Sequence, residues 1–194
     1  MSSFQQDVNA VNTINWCKSV LKANKEGISF ERAWMTRYLL HVVGDIHQPL
    51  HSTNYFNDTF KNGDLGGNLI KVNLINGTSF NLHSYFDSIA LEQDPDNRIQ
   101  RPLNDSFREQ LKGEARDLMK KYTADSLAKE IAKTDPKVWG AEAFEFAVNK
   151  IYSFTQRSNQ ITAEYQAEMQ ELLHRQLALG GYRLAEAIAS IYES

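Results

Sequence analysis

Four of the five histidines lie between positions 41 and 83, interleaved with carboxylates: His41, Asp45, His47, His51, Asp64, His83 and Asp87. A fold for this chain must bring these groups together or leave them in water, because a buried imidazole or carboxylate without a partner is costly. His41 and Asp45 are four residues apart, and so are His83 and Asp87. On a helix that spacing puts both side chains on one face, where a nitrogen and an oxygen can reach one ion. A single pair of this kind also makes an ordinary surface ion pair or a core hydrogen bond. His51 follows a turn stiffened by Pro49 and can fold back toward the same place. Two pairs and His51, set around a glycine-rich loop, favour a metal site with His41, Asp45, His51, His83 and Asp87 as ligands. Nitrogen and oxygen donors suit zinc best, with manganese or iron as lesser options. His47 is the weakest of the set and reads equally as a ligand and as a supporting or structural residue. His174, alone on the last helix, reads as a surface or packing histidine.

The surrounding pattern is helical. Phe4, Val8, Val11, Ile14 and Val20 recur at helical spacing over 4–24. Ser29 is placed to cap a second helix that runs to Asp45 or Ile46 and is stopped by Pro49. Phe30, Trp34, Tyr38, His41 and Asp45 share one face of it. The aromatic stripe is expected to be core packing behind His41, with a base-stacking platform as the alternative. Residues 52–67 are crowded with Asn, Asp and Gly and read as loop. Asn68 to Leu74 alternates at period two into Asn76-Gly77 and Thr78-Ser79-Phe80, the one good hairpin signal. Asn81 to Ala90 can begin another helix. Later starts fall at Asp105 or Ser106, at Thr123, and at Asp135 with Pro136 in the first helical position. The last segment runs from about Thr162 to Tyr192, with Gly180-Gly181 as a bend or a close-packing point. The expected fold is mainly α with one small β-hairpin, and 1–194 reads as a single domain.

Composition narrows the function. A chain of 194 residues with 42% apolar residues can bury a sizeable core, and 11% aromatics with a net charge of −3 is not a disordered composition. With 21 basic against 24 acidic residues, bulk charge cannot hold a nucleic acid. No stretch approaches the ~20 apolar residues of a membrane span. One cysteine, Cys17, allows no internal disulfide, and the N-terminal residues do not resemble a signal peptide. Three glycosylation triplets, at Asn57, Asn76 and Asn104, point the other way, toward the secretory pathway. Other motifs fail. Asp58 to Leu69 has a calcium loop's length, but Phe60 and Leu69 replace oxygen ligands. Gly63 to Gly67 lacks a phosphate loop's lysine, and no Gly-x-Ser-x-Gly elbow is present.

The runs His41-Val-Val-Gly-Asp45-Ile-His47-Gln-Pro-Leu-His51, Asp64-Leu-Gly-Gly-Asn68 and Asn81-Leu-His83-Ser-Tyr-Phe-Asp87, in that order, closely resemble the trinuclear zinc single-strand-specific nucleases. These are the plant and fungal type I nucleases and 3′-nucleotidase/nucleases, whose multi-helix zinc-cluster fold is shared by zinc phospholipase C. The segment Leu177 to Ala185 is similar to the family's last helix. The resemblance implies that Asp45 bridges two zincs, that His41 binds one of them, and that His51, His83 and Asp87 hold the third. It implies hydrolysis of single-stranded DNA and RNA, or of nucleotides, to 5′-phosphorylated products, with metal ions rather than lysines attracting phosphate. His47, Asp64 and Asn68 stand where they could support the ligands. No membrane span and no obligate protein partner are implied. The Asp-x-Gly-Gly-Asn run favours a nuclease over a phospholipase C.

The departures are as informative. The family's N-terminal Trp and the His and Asp ligands that follow it have no counterpart before His41, so the chain resembles the family's C-terminal two-thirds. The His51–His83–Asp87 set is complete, whereas the bridged pair keeps only His41 and Asp45. The loop from Ser52 to Gly63 is longer than expected, and Phe86 stands where the family usually has Trp. Low turnover is therefore expected of the chain as written, with a zinc-binding domain without activity as the alternative. A secreted or lysosomal-type compartment is expected for the full-length protein.

Overall fold

The computed structural model describes residues 8–23, 28–89 and 103–192. It is mainly α, with one two-stranded hairpin among the described residues. The expected start of the first helix at Phe4 lies outside them. Helix α1 (Ala10–Lys22) begins at Asn9, whose side chain accepts the Asn12 amide at 2.9 Å. Helix α2 (Ser29–Ile46) follows, and here the sequence reading needs two corrections. Ser29 is the first helical residue rather than the cap; Ile28 precedes it, and no side chain caps the end. The aromatic stripe is not core: Phe30, Trp34 and Tyr38 are 76%, 56% and 41% exposed. The helix carries a second, aliphatic stripe, Leu39, Val42, Val43 and Ile46, and that one is buried. It packs with Ile14, Cys17 and Leu21 of α1 and with Trp139. Two faces had helical periodicity, and the one with the denser run of β-branched and leucine side chains meets the protein.

A 3-10 turn (Pro49–Ser52) leads into the loop, and strands β1 (Lys71–Asn73) and β2 (Ser79–Asn81) pair antiparallel with Val72 opposite Phe80. The strands are shorter than the alternation suggested, because Leu74 already turns: its amide is bonded to Thr78, and Gly77 takes φ +84°. Helix α3 (Leu82–Ile89) starts directly from β2, burying Leu82, Tyr85, Phe86 and Ile89 on the face opposite His83 and Asp87. Helix α4 (Asp105–Lys121) is capped by Asn104. The expected start at Thr123 yields turns and only a short α5 (Ala128–Ile131). Helix α6 (Pro136–Phe146) has the expected arrangement, with Asp135 accepting the Lys137 amide ahead of Pro136.

Helix α6 runs on through a π-helical turn (Ala147–Tyr152) into the short α7 (Ser153–Thr155). Helix α8 (Ala163–Tyr192) then passes along all three hydrophobic clusters. Met169 and Leu173 join the cluster beneath the hairpin and α3. Leu179 meets Tyr122 and Leu127, and Ile191 closes the α1–α2 cluster. Gly180 does not bend α8; a Cβ there would lie 3.2 Å from the His47 ring, so the glycine is a close-packing point. None of the described helices is long and apolar enough to cross a membrane.

Candidate metal centre

His51 leaves the 3-10 turn, and His83 and Asp87 leave adjacent turns of α3. Their ligand atoms all lie within 4.8 Å of one another, the sole such group of three among the described residues. Asp87 lies between the rings, with Oδ1 3.5 Å from His51 Nε2 and Oδ2 3.6 Å from His83 Nε2. The ring centroids are 4.7 Å apart and tilted, so both Nε2 atoms face one space. Burial pushes the Asp87 carboxyl up, but hydrogen bonds from His51 and Gln48 and the nearby imidazoles outweigh it and hold it low. The bond to Asp87 raises His51 against the effect of burial, and the charge of Asp45 adds to that. A cation entering here replaces a proton on His51, so binding weakens as pH falls.

Two of the three candidate ligands are held from behind. His83 Nδ1 lies 2.8 Å from the carbonyl oxygen of Gly66. A carbonyl only accepts, so Nδ1 carries a proton, and in the neutral ring Nε2 presents its lone pair, the arrangement typical of a metal-binding imidazole. Gln48 Nε2 donates to Asp87 Oδ1 at 2.8 Å, while its Oε1 accepts the Leu50 amide. The Asp64–Asn68 turn is built for close approach. Leu65, Gly66 and Gly67 are all left-handed, with φ of 57°, 63° and 88°. A Cβ on Gly66 would sit 2.6 Å from the Leu50 carbonyl oxygen, so only glycine lets its backbone lie this near the histidines. Leu65 pays the strain of a left-handed non-glycine residue, held by the bond from its amide to Asn54 Oδ1. Asn68 is exposed, and its side-chain amide donates back to the Leu65 carbonyl.

The other histidine–aspartate pair stands apart. His41 Nε2 and Asp45 Oδ2 are 3.1 Å apart on α2, with the His41 side chain 69% exposed. His47 does not reach the centre. It is buried between Trp139 and Gly180, its Nδ1 donates to the Val43 carbonyl, and its Nε2 accepts from Arg183 at 3.1 Å. Burial pushes its pKa down to about 4, and the Arg183 charge reinforces the shift. Arg183, itself fully buried, also binds Glu142 and the Glu130 carbonyl. Three supporting residues do not stand out from the sequence pattern, Gln48, Arg183 and Tyr152, the last of which donates to Asp64. Gln48 lay inside the recognised run and could have been picked out there. Arg183 and Tyr152 act across 136 and 88 residues, which no local pattern reveals.

Two imidazole nitrogens and a carboxylate oxygen around one space form the donor set of a transition-metal site with positions left for water or substrate. The S1/P1 nuclease family profile matches residues 2–193, and the chain belongs to that family. It is 26% identical over 187 residues to Endonuclease 5 of Arabidopsis thaliana, covering 93% of this chain and 59% of the relative. To Endonuclease 2 of the same plant it is 28% identical, covering 80% and 50%. To Nuclease S1 of Aspergillus oryzae (strain ATCC 42149 / RIB 40) it is 25% identical, covering 77% and 51%. The chain thus spans about half the length of the curated relatives it matches.

Proposed function

We propose that this chain is a zinc-binding phosphodiester hydrolase, or the zinc-binding part of one, acting on single-stranded nucleic acids and nucleotides. The observation that carries the reading is the convergence of His51, His83 and Asp87 in a chain of the S1/P1 nuclease family. The donors fit zinc: His83 is already in the right tautomer, and Asp87 is held as a carboxylate by Gln48 and His51. Bound there, zinc supplies a Lewis acid for a phosphodiester oxygen and lowers the pKa of a coordinated water. His51 and His83 would bind it through Nε2, and Asp87 would complete the set. Asp45, close enough for its charge to act on His51, would extend the site toward His41. With an overall charge of −3, the cation is what would draw a phosphate to this face.

A second reading, zinc binding without turnover, is favoured by one observation. His41 and Asp45 gather no third ligand among the described residues, and hydrolysis by paired metals needs two well-held ions. The triplet residues Asn57, Asn76 and Asn104 are all exposed, which supports a secretory origin.

The test is metal analysis of the purified chain and of a His51→Ala/His83→Ala double variant, with single-stranded DNA and RNA digestion in saturating zinc. Zinc in the wild type, its loss in the variant and digestion by the wild type alone are expected. Zinc without digestion selects the second reading, and wild type without zinc overturns both.

A further inference from the structure

Asp64 is fully buried, yet it lies in the turn that holds His83, and its carboxylate takes three hydrogen bonds. Oδ1 accepts the amides of Tyr55 at 2.8 Å and Gly66 at 3.1 Å. Oδ2 accepts one bond, from the hydroxyl of Tyr152 at 2.7 Å. Gly66, whose nitrogen Asp64 holds, turns its carbonyl to His83 Nδ1. The result is an unbroken relay of hydrogen bonds from the π-helical turn after α6 to a ring nitrogen of the candidate centre. We propose that Tyr152 is a positioning residue for His83, acting through Asp64 and Gly66. The proposal rests on the reading of His83 as a metal ligand.

Three observations favour this over a loop staple that happens to lie nearby. First, Tyr152 is the sole donor to the Asp64 carboxylate from outside the 55–66 loop among the described residues, so it ties that carboxylate to the helical body. Without it, Oδ2 would be a buried carboxylate oxygen with no partner, and the turn would have to move to hydrate it. Second, Tyr152 is delivered by an irregularity. The π-helical turn Ala147–Tyr152 buries Ala147, Ile151 and Tyr152 together, and each residue of register in a regular helix would swing the ring by about 100°. Such single π turns recur at functional sites. Third, the hydroxyl stays a donor. Burial first, and then the Asp64 carboxylate, push its pKa far above that of a free tyrosine. The ring itself is fixed by stacking on Tyr55, with centroids 5.1 Å apart.

Tyr152→Phe removes the hydroxyl and keeps the ring. Ile151→Val, in the same buried turn, serves as a control for general loosening. Two measurements are made on each full chain: the nitrogen-15 signals of the His83 ring in the metal-free protein, and zinc affinity by competition with a chelator. Tyr152→Phe is expected to shift His83 from a single Nδ1–H tautomer toward a mixture and to weaken zinc binding about 10-fold, the lower end of what support behind a ligand is worth. Ile151→Val is expected to lower the melting temperature and change neither. A wild-type tautomer and affinity in Tyr152→Phe overturns the proposal, and so does an equal change in Ile151→Val. Should Tyr152→Phe not fold, 3-fluorotyrosine at 152 keeps ring and hydroxyl but sharpens the donor, and an unmoved His83 Nδ1–H signal then overturns the relay. If the wild type binds no zinc, the metal reading fails while the tautomer measurement still decides the positioning.

Discussion

His41 and Asp45 on α2, and His83 and Asp87 on α3, share the same two residue types at the same spacing but differ in their surroundings. The His41 ring has Asp45 as its partner on an open helix face. The His83 ring is 17% exposed and bonded from behind by Gly66, and it faces His51 across Asp87. Helical spacing of four therefore makes a pair, but it does not make a centre. What makes the second pair a candidate for one is its walls: the left-handed turn 65–67 on one side and the 3-10 turn carrying His51 on the other. The first is braced from elsewhere in the chain by Tyr152 on Asp64, and at the start of the second Gln48 reaches across to Asp87.

The comparison breaks most directly by removing one histidine at a time. His83→Ala should lower zinc affinity by more than about 100-fold, beyond the cost of losing support behind a ligand, whereas His41→Ala should change it by less than about 3-fold. Chelator competition on both variants decides this. Similar losses would mean that the two pairs hold one shared ion.

A smaller effect separates buried from exposed imidazole. With His47 held at a pKa of about 4 against 6.5 unfolded, the unfolded chain binds the extra proton between those values. Stability is then fully present above about pH 6.5 and declines as pH falls toward 4, by about 3 kcal/mol in all. Denaturation midpoints followed from pH 7 to 4 should show this slope. It should flatten in His47→Gln and persist in His41→Gln.

The smallest effect lies on the outer face of α2. Phe30→Ser and Trp34→Ser should each shift stability by no more than about 0.5 kcal/mol, as surface substitutions do, against about 2–5 kcal/mol for Leu39→Ala in the buried stripe of the same helix. A loss in Trp34→Ser that approached that of Leu39→Ala would return the aromatic stripe to the core.

Much of this was legible in the sequence, and what was not has a physical reason. Pro136 after Asp135 marked a helix start, and Asn76-Gly77 marked the hairpin, because caps and turns are local chemistry. The face shared by His83 and Asp87 followed from helical periodicity alone. Periodicity did not say which stripe of α2 faces inward, since two stripes had the same period and only tertiary packing chooses between them. Ser29 was misplaced by one residue for a similar reason: a capping residue type permits a cap but does not require it. The distant partners of His47 and Asp64, Arg183 and Tyr152, come from α8 and the π-helical turn, and nothing in the sequence around either residue encodes them.

The run of left-handed residues from Leu65 to Gly67 also has a consequence for motion. Glycines lose more freedom on ordering than any other residue, so conformational entropy favours any local opening of this turn against the bonds that hold it. A ligand that grips His83 needs that opening closed, so its apparent affinity is reduced by whatever fraction of the chain is open. At about 100 times its dissociation constant it would add roughly 2.7 kcal/mol to the closed form. The turn would then act as a hinge between binding and order, and amide exchange at Gly66 and Leu69 would be the clock on which that coupling is read.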